Sequence, residues 1–185
     1  MAEPMPPFDL SYSFDERLRE APCDPVSMGQ GVNWLCEQLE QPGLSPREQA
    51  RLAGQIGAYG RMLGRDALAH AAVQRALRIA EELNDLRLQL VNTLRLAHLE
   101  QWQGRFDVST ARFTWAIQQC EERPELASLL DTALQHAGKN VFDQGQYALA
   151  RSYFTRALEL RRRKGDPELL RSTEHALVVL ERLAS

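Results

Sequence analysis

Gly138 to Leu160 reads GKNVFDQGQYALARSYFTRALEL, and the spacing inside it decides the fold. Gly145, Tyr147, Ala150, Phe154 and Ala157 stand at offsets of 0, 2, 5, 9 and 12. Gly145 suits a tight turn between two helices, because glycine reaches left-handed backbone angles without steric cost. Tyr147 then opens a second helix on which Ala150, Phe154 and Ala157, spaced by four and three, share one face. The small residues let the helices approach, and the aromatic ring fills the space between them. One such hairpin cannot bury its own apolar face, so neighbours of the same kind are expected.

Shifted back by 41 residues, the same template falls on Gly104, Phe106, Ser109, Phe113 and Ala116. A further 40 residues back it falls on Gly64, Asp66, Ala69, Val73 and Ala76. Three copies in register, over roughly 50–164, resemble the tetratricopeptide-repeat (TPR) family of stacked helical hairpins. That family's small residue ahead of the turn is matched by Gly57, Ala97 and Gly138. The period of 40 to 41 departs from the usual value of about 34. Asp66 stands for an aromatic, Ser109 stands for an alanine, and the third copy lacks the proline that often closes a repeat. The longer period is similar to that of TPR variants with extended helices in regulatory and scaffold proteins. The resemblance implies an all-α fold: a right-handed superhelical stack of three TPR-like helical hairpins, with an N-terminal and a C-terminal capping helix.

Local signals place the elements. A mostly irregular segment is expected over 1–26, with a mobile tail to about Pro7, and a single TPR-like domain over 27–185. Ser13 with Glu16 is read as the cap of one short helical turn, and Phe8, Tyr12 and Phe14 as rings that pack back on the body. The capping helix is predicted over 28–41 after Ser27 as its N-cap, with Val32, Leu35, Cys36 and Leu39 inward and Trp34 off the stripe. Ser45-Pro46-Arg47-Glu48 combines an N-cap, a first-position proline and a capping box. The repeats are predicted over about 46–83, 86–121 and 124–163, the last opened by Pro124. Gly165 ends that repeat, and Asp166-Pro167 restarts a final helix over 167–184. The count is eight helices and no strand.

Composition narrows the function classes. The chain of 185 residues is 44% hydrophobic and 25% charged with a net charge of −3, ordinary for a soluble globular protein. That balance argues against a surface built to wrap nucleic acid. All but two of its 22 basic residues are arginine, the exceptions being Lys139 and Lys164. Cys23, Cys36 and Cys120 are odd in number and lack C-x-x-C spacing, as expected in a reducing compartment. No run approaches the roughly 18 apolar residues of a membrane helix, and MAEPMPPFDL lacks the features of a secretory signal, so a cytoplasmic location is expected.

No catalytic pattern emerges. The sequence has no G-x-S-x-G, no H-E-x-x-H and no phosphate-cradling glycine loop. His70, His98, His136 and His175 fall within helices without ligand spacing. Gly54, Gly57, Gly60 and Gly64 stand at helical spacing and are read as close-packing positions. Arg161-Arg162-Arg163-Lys164 is read as a solvated helix end favoured by the helix dipole. The chain is therefore expected to be no enzyme and to hold no cofactor and no metal.

The resemblance points instead to a groove. In TPR proteins the first helix of each repeat lines a concave surface. Carried over, this implies Arg51, Gln55, Ala58 and Met62 from the first repeat, and Val91, Arg95, His98 and Trp102 from the second. The third contributes Thr132, Gln135, His136, Lys139 and Asp143, with Phe142 alongside. Arg51, Arg95 and Lys139 make the groove mildly basic, which suits a ligand bearing carboxylates. Trp102 and Phe142 are candidate apolar anchors. The family's chaperone-tail carboxylate clamp is not matched, since Ala58 and Arg95 stand where its asparagines would be. The expected function is a scaffold or adaptor that binds an extended peptide or partner helix of a protein. The alternative is a module that self-associates through an exposed end of the stack.

Overall fold

The computed structural model describes residues 6–183, so the first residues of the expected tail lie outside the described residues. The fold is all-α. Among the described residues there are eight α-helices: α1 (Pro25–Leu39), α2 (Pro46–Met62), α3 (Asp66–Glu82), α4 (Leu86–Trp102), α5 (Phe106–Glu122), α6 (Leu130–Asp143), α7 (Tyr147–Lys164) and α8 (Pro167–Leu183). Two compact units divide the chain. Unit 1 holds the N-terminal segment to Asp15 and Arg19–Leu99, and unit 2 holds Glu16–Leu18 and Glu100–Ser185.

In unit 1, α1 packs on α2 and α2 on α3. Val32, Leu35 and Leu39 of α1 meet Ala50, Ala53 and Ile56 of α2 and Ala72 and Ala76 of α3 in one apolar core. The predicted hairpin template is met: Gly64 turns at φ +68°, and Ala69, Val73 and Ala76 are fully buried. Gly57 lets α3 approach, because a Cβ there would collide with Val73 Cγ2. The predicted capping box is also present. The Ser45 amide donates to Glu48 Oε2 at 2.8 Å, and the Glu48 amide donates to Ser45 Oγ at 3.3 Å.

The Ser45 hydroxyl, which donates to Glu48 Oε2 at 2.6 Å, and after it the Ser45 amide hold the Glu48 carboxyl below its ordinary range. A depressed folded-state pKa contributes stability above the ordinary glutamate value, and that contribution is lost as pH falls through the depressed one. Thermal melts of wild type and Glu48→Gln should therefore differ most near neutral pH and converge in acid. A gap that is constant with pH would refute the assignment.

The N-terminal segment departs from expectation. Where a helical turn and no strand were expected, β1 (Tyr12–Phe14) pairs antiparallel with β2 (Glu20–Pro22), Ser13 facing Ala21. The hairpin is tied to α2 by a non-local contact. Glu20 accepts from Arg61 Nη1 at 3.0 Å, and both side chains are buried. Helix α1 starts three residues early, with Asp24 rather than Ser27 as N-cap, because the Asp24 carboxylate accepts from the amides of Val26 and Ser27. Ser27 Oγ accepts instead from the Asp9 amide at 2.8 Å. Leu10 and Phe8 close over Gly31 of α1, so Phe8 packs on the body as expected and Phe14 is half-buried, whereas Tyr12 is exposed on the strand.

In unit 2, α5 packs on α6, α6 on α7, and α7 on α8. Gly145 turns at φ +74°, and Ala150, Phe154 and Ala157 are fully buried. Gly138 repeats the role of Gly57, with Phe154 where the first hairpin has Val73. Ser109, the departure from alanine, donates to Asn140 Oδ1 at 2.6 Å, and Asn140 donates to Thr110 Oγ1 at 2.8 Å, which joins α5 to α6. Pro124 opens a 3₁₀ helix (Pro124–Leu129) rather than the first turns of α6. Gly165 ends α7 in the left-handed conformation, and Asp166 caps α8 by accepting from the Glu168 and Leu169 amides.

The basic run at the end of α7 is not simply solvated. Arg161 is 3% exposed, and its Nε donates to Asp131 Oδ2 at 3.0 Å. Its Nη1 bonds the Leu169 carbonyl, Ser172 Oγ and Thr173 Oγ1 of α8, while Lys164 also pairs with Asp131. A charge that the sequence placed at the surface instead holds three helices together.

Candidate functional site

Each unit contributes part of the residue set expected for a groove. In unit 1, α2 supplies Arg51, Gln55, Ala58 and Met62, all half-buried. Helix α4 supplies Val91 and Arg95, half-buried, and His98, which is buried. In unit 2, Trp102 and His136 are half-buried, whereas Gln135, Lys139 and Phe142 are buried. Phe142 packs in the core with Val141, Ala150, Phe154 and Leu180, its ring 5.6 Å from that of Tyr147. Its role is packing.

One spot in unit 1 combines charge with close packing. Arg95 extends from α4 across Gly54 of α2, where a Cβ would collide with its Nη1 and come within 2.5 Å of Asn92 Oδ1. Glycine is needed at 54 because only a bare backbone leaves space for the guanidinium. Asn92, one turn earlier on α4, accepts from Arg95 Nη1 at 2.9 Å. The Asn92 amide donates in turn to the Leu88 carbonyl at 2.9 Å, which fixes its orientation. Tyr59 of α2 lies near enough to interact with the charge.

The electrostatics follow from this packing. Arg95 as a residue is only half-buried, but burial of its guanidinium pulls its pKa down to about 10, with the nearby Tyr59 opposing. It remains a cation at neutral pH. Burial pushes the Tyr59 hydroxyl up, against the pull of Arg95. Among the described residues no carboxylate pairs with Arg95, in contrast to Arg61, Arg112 and Arg161, each held by an acid. A guanidinium has five donors and no acceptor, and only one of these is engaged by Asn92. Arg51, Gln55 and Ala58 stand three to four positions apart on α2 around Gly54, so they border the same face.

The sequence pointed to Arg95 but not to the residues that shape its surroundings. Gly54 is a close-packing glycine, as its spacing implies, but the sequence does not reveal that Arg95 and Asn92 are what it packs against. Helical spacing carried a signal for Gly54 and Asn92, since Asn92 lies one turn before Arg95 and Gly54 falls between Arg51 and Ala58. No family model matches the chain, and no curated protein is similar to it.

Proposed function

We propose that the chain is a non-catalytic interaction module, TPR-like in build, that holds an acidic segment of a partner protein against the α2 and α4 face of unit 1. The observation that carries this reading is the guanidinium of Arg95, packed over Gly54, bonded by Asn92 and, among the described residues, without a carboxylate. Taking a charge out of water is costly unless it is paired. An incoming carboxylate that completes such a site gains a short, charge-assisted and often bidentate contact. Because rigid helices already hold the donor in place, the partner bears most of the ordering cost. Arg51 and Gln55 border the spot and suit an extended acidic stretch rather than a single group. The cytoplasm is the location we favour, on the odd count of free cysteines; among the described residues no helix is long and apolar enough to cross a membrane.

A fluorescein-labelled oligoglutamate peptide tests the reading at low salt, with oligoglutamine as control. Arg95→Gln is expected to weaken binding by about tenfold or more, at unchanged oligoglutamine binding. Gly54→Ala should do the same by pushing the guanidinium aside. Its melting temperature should fall, because the new Cβ would also press on the buried Asn92, whose amide is tied to the Leu88 carbonyl, so circular dichroism must show that the variant is folded before its binding is compared. Binding that is equal in wild type and both variants would remove Arg95 as the anchor.

A further inference from the structure

Unit 1 has a second concavity, independent of Arg95, between α1 and α3. It has a volume of about 250 Å3. Leu39, Ile56 and Ala72 of the buried core form its floor, and Leu68 of α3 forms a wall. Cys36 adds a thiol to the α1 side. Burial pushes the Cys36 pKa up, so the group stays neutral and behaves there as a small apolar surface. The hollow also has one charged pair: Arg75 Nη1 donates to Glu40 Oε1 at 3.0 Å.

That pair is loosely built. Glu40 is the residue just past the end of α1, and its side chain is 75% exposed. An exposed ion pair contributes little stability, so the carboxylate can be exchanged for another at small cost. Arg75 stands on α3 beside the apolar wall and is the less exposed of the two, whereas Glu40 belongs to a helix end. The cation at the wall and the replaceable anion together describe a receptor for a carboxylate whose own site is occupied by a side-chain stand-in.

Size sets the rest of the ligand. An apolar cavity of about 150 Å3 accommodates benzene. A hollow of about 250 Å3 has room for a fused two-ring aromatic or an aliphatic chain of about eight carbons. We propose that this hollow binds a small amphipathic carboxylate, an aromatic or medium-chain carboxylic acid. Its apolar body would lie on Leu39, Ile56, Leu68 and Ala72, and its carboxylate would replace that of Glu40 on Arg75. The site requires nothing of the Arg95 face, and each can fail without the other.

The experiment is calorimetric titration of the full chain with 1-naphthoate, and with neutral 1-naphthylmethanol as its partner probe. Wild type should bind the acid about three- to fivefold more tightly than the alcohol, the scale of a partly exposed ion pair. Arg75→Gln should erase that preference, so that the variant binds acid and alcohol with equal affinity. Glu40→Gln, which removes the competing anion, should strengthen acid binding. Ala71→Phe, which grows a ring from the exposed edge of the hollow, should abolish binding of both probes. Circular dichroism melts establish that each variant is folded. A site-specific readout comes from Cys23→Ser protein, in which alkylation of Cys36 by N-ethylmaleimide should slow when naphthoate is present. Equal affinity of wild type for acid and alcohol would overturn the proposal. So would acid binding that survives Arg75→Gln, absence of binding by either probe, or Cys36 alkylation at the same rate with and without ligand.

Discussion

Asp131→Ala is expected to destabilise unit 2 by about 3–5 kcal/mol, the cost of removing one partner from a buried ion pair. Asp131 is 1% exposed and faces two cations, Arg161 and Lys164. Lys164 is partly exposed and can turn to water, but Arg161 has nowhere to go. Its Nη1 would keep the α8 acceptors Leu169, Ser172 and Thr173, so the cation would stay buried with its charge uncompensated. Asp131→Asn, which keeps an acceptor without charge, should cost less. The double change Asp131→Leu with Arg161→Met should recover much of the loss, because apolar residues of similar volume often replace a buried pair at little net cost. Urea unfolding followed by circular dichroism measures all three. A single alanine variant within about 1 kcal/mol of wild type would mean that the network is decorative, as exposed pairs commonly are.

Phe154→Ala is expected to cost unit 2 a similar amount, about 3–5 kcal/mol, through lost burial and the cavity left behind. Phe154 is fully buried between α6, α7 and α8, among Val141, Ala176 and Leu180. Its seat is made by Gly138: a Cβ there would lie 2.5 Å from Phe154 Cε1 and 2.7 Å from Cδ1. The ring is packed on all sides and cannot yield as an arginine head can. Gly138→Ala alone should therefore destabilise by about 1–3 kcal/mol through overpacking, despite the better helix propensity of alanine. With Phe154→Leu in place, the same Gly138→Ala change should cost less or become favourable. A double-mutant cycle with no coupling would show that the two residues do not share space.

The hairpin pattern was legible because it recurs. A glycine turn followed at fixed offsets by inward residues needs only local geometry, and the buried sets Ala69, Val73, Ala76 and Ala150, Phe154, Ala157 stand where that geometry puts them. The N-terminal strands were not legible. Each has three residues, too few for an alternating pattern, and the Glu20–Arg61 pair that ties them to α2 joins residues 41 apart in sequence. The run ending α7 misled for the same reason: four adjacent bases look solvated until Asp131, 30 positions earlier, is brought beneath the first of them. For the candidate site, helical spacing put Arg95 on the expected face, but its depth depends on the absent side chain at Gly54, on another helix. Phe142 was the opposite case. It lay beside the expected face and turned into the core, where Tyr147 of the next helix receives it.

The glycines that join helix to helix have a practical corollary. At Gly64, Gly104 and Gly145 a Cβ would meet nothing within 4 Å, and each residue is exposed and chosen for its backbone angles alone. These corners are seams. A flexible peptide, a purification handle or a fluorophore-bearing loop grafted at Gly64 or Gly145 would project into solvent and disturb neither inward face, which makes them natural attachment points for reporters on each unit.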